Sequence, residues 1–160
     1  MVRYRIISVG KIREPFYLQG ANEYLKRLKL YTTIDLIDGW EEKVSPNAGA
    51  KDIERCLRRE GERVLSLLGD NELLVVLDPH GQMMKSEGFA QKIDEWNHSG
   101  RTRINFLVGG AHGLDARVKN AAGLLISLSP MTLPHQLAVL VLTEQIYREF
   151  KILRREPYHK

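Results

Sequence analysis

Apolar residues along this chain switch between two spacings, and the points of change outline ten elements. Residues 3–9 (RYRIISV) form a strand of mixed pattern that stops at Gly10. Over 14–30, Phe16, Leu18, Tyr24, Leu25 and Leu28 recur at helical intervals. A short β-branched run at 32–37 predicts a second strand, and 39–50, with Pro46, Asn47 and Gly49, reads as a loop. Residues 51–68 predict a charged amphipathic helix. Residues 73–77 are continuously apolar, the mark of a buried strand, and lead into a loop at Asp78-Pro79-His80-Gly81-Gln82. Ser86 is the expected cap of a helix reaching Asn97, followed by a strand at 104–108. Asp115 is the expected cap of a short helix before a last strand at 124–128, and a long apolar helix fills 135–153. This alternation implies an α/β fold of residues 1–160 as one domain, a mainly parallel sheet with helices on both faces.

Three strand ends run into loops suited to holding a ligand. In open α/β sheets, ligands sit outside the carboxyl ends of the strands. One loop is Gly109-Gly110-Ala111-His112-Gly113, where the missing side chains allow close backbone approach. Another is Ser129-Pro130-Met131-Thr132-Leu133-Pro134-His135, stiffened by a proline on each side of Met131-Thr132-Leu133. The third is the loop after Leu77. Each also reads as a plain connector, with Pro134 near a first helical position. The glycine spacing is Gly-Gly-x-x-Gly after the fourth strand, not the dinucleotide fingerprint after the first, and neither a P-loop lysine nor a Gly-x-Ser-x-Gly elbow occurs.

Composition narrows the class. Hydrophobic residues are 43% and charged residues 28% of the 160, as in ordinary globular chains. No run of about 18 apolar residues and no signal-peptide pattern is present, so the expected location is the cytosol. The lone Cys56 excludes an internal disulfide and a multi-thiolate zinc cluster. His80 and His112 lack the spacing of metal ligands, and no metal is expected. Net charge is +4, and the segment 146–160 concentrates Arg148, Lys151, Arg154, Arg155 and Lys160 against Glu149 and Glu156. Such a cluster suits phosphate and hence nucleic acid, with Tyr147, Phe150 and Tyr158 available to stack on bases. It equally suits a solvated helix end, where cations complement the dipole.

The runs GGAHGL, SLSPMTLPHQ, VLTEQIYREFKI and the terminal PYHK, with VGK and EYLKRL near the start, are similar to the ribosomal RNA large subunit methyltransferase H family. These are compact SPOUT-class enzymes that methylate N3 of a pseudouridine in large-subunit ribosomal RNA. The resemblance implies a C-terminal trefoil knot, an exception to the avoidance of threaded loops. It also implies S-adenosyl-L-methionine as cofactor, held by Leu77, Gly110 and the run Ser129, Pro130, Met131, Thr132, Leu133 and Pro134. Gln82 stands where the family pattern has lysine.

The resemblance further implies a homodimer through the final helix. Leu137, Val139, Leu140, Val141, Leu142 and Ile146 agree with this, being apolar around more of the circumference than a one-faced surface helix needs. Burial of that helix inside one chain is the alternative. Transfer of a methyl group to a ring nitrogen needs in-line positioning and removal of the N3 proton. The candidate bases are His135, beside the cofactor loop, and His159, which in a dimer could reach the partner's site; the alternatives are that His135 only caps or orients the loop and that His159 contacts a phosphate. Arg148, Lys151, Arg154, Arg155, Tyr158 and Lys160 are expected to hold RNA on the ribosome. A non-enzymatic ribosome-assembly factor and a SPOUT enzyme acting on tRNA are the alternatives.

Overall fold

The computed structural model describes residues 1–160. Its elements run β1 (Arg3–Ser8), α1 (Pro15–Leu28), β2 (Ile34–Ile37), α2 (Ala50–Ser66), β3 (Glu72–Met83), α3 (Ser86–Asn97), β4 (Arg103–Val108), α4 (Ala116–Ala121), β5 (Leu124–Ser127) and α5 (His135–Leu153). All ten fall where the spacing places them, with ends shifted by a few residues as helix and strand termini commonly are. The five strands form one sheet in the order β2-β1-β4-β3-β5, every pair parallel.

Side chains alternate across a strand, so a sheet covered on both faces needs apolar residues at odd and even positions alike. Tyr4, Ile6, Val75, Ile104 and Phe106 face one side, where α1, α3 and α5 supply Ala21, Leu28, Phe89, Ile93, Val139, Leu142 and Ile146. Ile7, Leu74, Val76 and Leu107 face the other, against Val64 of α2 and Val118 of α4. The wide apolar circumference of α5 is accounted for largely within the chain. Ala138, Val139, Leu142, Ile146, Tyr147 and Phe150 are buried, while Leu137, Leu140 and Val141 are half-buried.

Two local expectations are corrected. The third strand does not end at Leu77. It pairs with β5 through Leu77↔Ile126, shifts register, and pairs again through Gln82↔Ile126 and Met83↔Ser127. Asp78–Gly81 therefore leave the ladder as a bulge, and Gln82 is a strand residue. Proline and glycine signal a loop locally. Here Gly81 instead allows two backbones to meet: a Cβ at that position would lie 2.7 Å from the carbonyl carbons of Leu125 and Ile126. Ser86 also does not cap α3. The N-cap is Lys85, and the Ser86 hydroxyl donates to Gln145 Oε1 of α5 at 2.9 Å, spending the side chain on a tertiary tie.

Asp115 does cap α4, accepting from the backbone N of Arg117 at 2.8 Å. Its replacement by alanine is expected to cost about 1 kcal/mol, the usual worth of an N-cap. Urea titration of the two proteins measures the difference.

Candidate active site at the carboxyl ends of the strands

Short polar side chains turn the chain at the strand ends. The Ser8 hydroxyl donates to Gly10 O at 2.6 Å, and that of Ser127 donates to Ser129 O at 2.9 Å. Asp78 accepts from His80 N at 2.8 Å, and Ser129 Oγ accepts from Met131 N at 3.0 Å. Each bond folds a loop back two residues on, as Asx and Ser/Thr turns do. The glycine loop closes through Gly113 N donating to Gly110 O at 3.2 Å. Gly113 has φ +83°, a left-handed conformation costly for a residue with a Cβ.

The turned loops surround one cleft of about 570 Å³. Leu77, Gly110, Ser129, Met131, Thr132, Leu133, Pro134 and His135 all line it, so the structure brings together residues dispersed over 59 positions. Pro130 is exposed and does not line it. The lining combines apolar walls (Val108, Leu128, Ala138) with the ion pair of Asp78 Oδ2 and Lys119 Nζ at 2.7 Å. Asp78 is 7% exposed. The Lys119 ammonium, followed by the His80 amide, holds its carboxyl below the usual range, so it is an ionised group in the wall. Lys119 was not legible in the sequence. It lies 41 positions from its partner, on a helix whose only sequence signal was its cap.

His135 is the first residue of α5. Its Nε2 lies 3.0 Å from Lys11 O. A carbonyl only accepts, so Nε2 carries the proton and Nδ1 remains the basic nitrogen. The ring packs flat on Gly10, where a Cβ would lie 2.6 Å from Nε2. Glycine after the first strand is thus the seat of His135. Gly110 faces the loop before α2, since its Cβ would sit 3.2 Å from the Glu41 carboxyl carbon. Nearby, Glu60 of α2 is buried, and burial followed by the Glu41 charge pushes its carboxyl up to about 7.

His159 lies elsewhere in its own chain. Its Nδ1 receives Arg148 Nη1 at 3.2 Å, and its Nε2 lies 2.9 Å from Glu87 Oε1. Guanidinium groups only donate, which assigns Nδ1 as acceptor and Nε2–H as donor. Arg148 is thirteen residues beyond His135, about 20 Å along the helix. Both nitrogens of His159 are therefore occupied, remote from the cleft of the same chain.

The terminal cations divide into two sets. Arg148 pairs with Glu144 at 2.6 Å and lies over the Tyr158 ring, whose hydroxyl donates to Glu144 at 3.0 Å. Lys151 pairs with Glu156 at 2.7 Å. These three side chains hold the tail to α5. Arg154, Arg155 and Lys160 are exposed, with Arg154 lying over Tyr31.

With this geometry in view, comparison with known proteins is specific. The family described as "Predicted SPOUT methyltransferase" matches residues 2–159. Ribosomal RNA large subunit methyltransferase H of Syntrophomonas wolfei is 56% identical over 159 residues, 99% of this chain and 100% of the relative. The proteins of that name from Acetivibrio thermocellus and Streptococcus gordonii are 43% and 42% identical over the same shares. A five-stranded parallel sheet, loops gathered at its carboxyl edge and full-length identity at this level agree: the chain belongs to the SPOUT methyltransferase family, among relatives named ribosomal RNA large subunit methyltransferase H.

Proposed function

We propose that this protein transfers a methyl group from S-adenosyl-L-methionine to N3 of a pseudouridine in large-subunit ribosomal RNA, on assembled ribosomes in the cytoplasm. The observation that carries this reading is the convergence of two distant strand-end loops and the bulge of β3 on one cleft. A binding module without a small-molecule cofactor has no use for it. The lining fits the cofactor: apolar walls suit an adenine face, and main chain at Gly110, Ser129 and Met131–Leu133 suits its polar edge. The cleft volume is also in the range of small-molecule sites. The sulfonium, when bound, supplies an electrophilic methyl.

The chain's own contribution is positioning and proton removal. The rigid loops hold the acceptor ring in line, and His135 takes the N3 proton on Nδ1, its Nε2–H staying on Lys11 O. Asp78 and Lys119 keep the bulge after Leu77 in place beside it. A homodimer through α5 would use the half-buried Leu137 and Val141, and would allow His159 of one chain to approach the other's cleft. The trefoil knot of the SPOUT class would lie in the segment from β4 to α5. The placement of β5 beside β3, rather than beside β4, supports it.

The test is radiolabelled methyl transfer to ribosomes lacking the modification, beside calorimetric titration with the cofactor. The wild type is expected to bind and transfer. His135→Asn is expected to bind the cofactor normally and transfer about 100-fold more slowly, the lower end of what a general base contributes. Ribosome binding without cofactor binding would point to an assembly factor, and transfer to tRNA alone to a different RNA substrate. A His135→Asn protein as fast as wild type would remove the histidine from the chemistry.

A further inference from the structure

The residues that hold the tail together leave open which surface of the protein grips RNA beside the cleft. The loop between β1 and α1 touches the His135 ring, and its backbone is fixed at three points. Lys11 O lies 3.0 Å from His135 Nε2. Ile12, 4% exposed, donates its amide to Asp38 Oδ2 at 2.8 Å. The amides of Arg13 and Glu14 both donate to Gln136 Oε1 of α5 at 2.9 Å. A loop anchored in this way presents its side chains without further ordering cost.

Those side chains are not used by the fold. Lys11 and Arg13 are exposed and enter no ion pair, in contrast to Arg148 and Lys151. Phe16, at the start of α1, is 61% exposed, with only Tyr17 as an aromatic neighbour at 4.3 Å between ring centroids. Two free cations and an exposed aromatic ring on a rigid support match the chemistry of single-stranded RNA, whose phosphates take cations and whose unpaired bases stack on aromatic faces. Glu14, the one carboxylate in the segment, is exposed and leaves the local charge positive.

We propose that Lys11, Arg13 and Phe16 form the surface that holds the RNA strand next to the acceptor nucleotide, the cations on phosphates and Phe16 on an unpaired base. This rests on the RNA-methyltransferase reading above. It adds a substrate-gripping element at the opposite end of the sequence from the basic tail, joined to the cleft through His135 and Gln136.

The test compares Arg13→Glu, Phe16→Ala and Lys51→Glu, the last reversing an exposed charge on α2 across the sheet. Ribosome binding is followed by sedimentation at several salt concentrations, methyl transfer by its kcat and KM, and cofactor binding by calorimetry. Arg13→Glu and Phe16→Ala are each expected to raise the ribosome KM about tenfold, as loss of one stacking or phosphate contact does. The kcat and the cofactor affinity are expected to stay within about twofold, and Lys51→Glu to match wild type. Lys11→Ala and Arg13→Ala are each expected to lower the salt slope of binding by about one. Variants that bind and methylate ribosomes as the wild type does would overturn the assignment. A wild type that binds ribosomes without methylating them, with binding lost in the variants, would uphold the surface and overturn the enzymatic reading instead.

Discussion

Replacing Gly81 by alanine is expected to lower the thermal midpoint by roughly 10 °C and to abolish cofactor binding, since steric conflicts of this kind cost about 3 kcal/mol and a chain of this length loses a few degrees per kcal/mol. The added Cβ would meet main-chain atoms of Leu125 and Ile126 at 2.7 to 2.8 Å. Backbone cannot rotate aside as a side-chain end can, so β3 and β5 must separate where their register shifts. That is the junction from which Asp78 enters the cleft and after which the Ser127–Ser129 turn begins. Stability and site should therefore fail together. Gly88 of α3 is the control: its Cβ would meet nothing nearer than 3.6 Å, and alanine there is expected to stabilise by about 0.5 kcal/mol through helix propensity. Calorimetric unfolding of the two variants, with cofactor titration, measures both effects. A Gly81→Ala protein as stable as wild type would show that the strands have room to part.

The second large effect is a gain. Glu149 of α5 is fully buried, and neither carboxyl oxygen has a partner. Burial, opposed in part by Arg148 and reinforced by Glu144 and Glu87, pushes its pKa up to about 8. In the unfolded chain it titrates near the ordinary glutamate value of about 4.3. Between these values the folded state holds a proton that the unfolded state has released. Its stability contribution is therefore complete in acid and is lost as pH rises towards 8. Glu149→Gln removes this dependence. At pH 8 the variant is expected to be more stable by on the order of 3 kcal/mol, with the advantage nearly gone at pH 5. Glu60, raised to about 7, acts in the same direction in both proteins. Asp78, Asp115 and Glu72 act oppositely: their lowered pKa values add stability that is lost as pH falls below the carboxylate range. Thermal unfolding at pH 5, 6.5 and 8 isolates the Glu149 contribution as the difference between the two proteins, since the lowered carboxylates stay ionised over that range. Parallel curves for wild type and Glu149→Gln would mean the carboxyl is not titrating in the folded state.

Much of the fold was legible in the chain because its cause is local. The shift from period two to helical period placed all ten elements, and the alternation of strands and helices announced a sheet covered on both faces. The candidate cleft was legible in the two loops after the fourth and fifth strands, since parallel topology puts such loops on one edge. The failures share a reason. Asp78–Gly81 read as the end of a strand because proline and glycine are local breakers, whereas strand pairing resumes through contact with Ile126 and Ser127. Ser86 read as a cap because its competing partner, Gln145, is 59 residues away.

By itself, then, the sequence determined the class, the order of elements, the edge of the sheet where the loops gather and the family resemblance that the comparisons bear out. These depend on residue spacing and on turn chemistry, which act over a few positions. Only the tertiary structure decided which side chains are free. It paired Lys119 with Asp78, seated His135 on Gly10 with its Nε2 on Lys11 O, occupied both nitrogens of His159, and left Lys11, Arg13 and Phe16 facing solvent. Whether a polar group is available depends on which distant residue meets it first, and that is set by how the helices pack on the sheet.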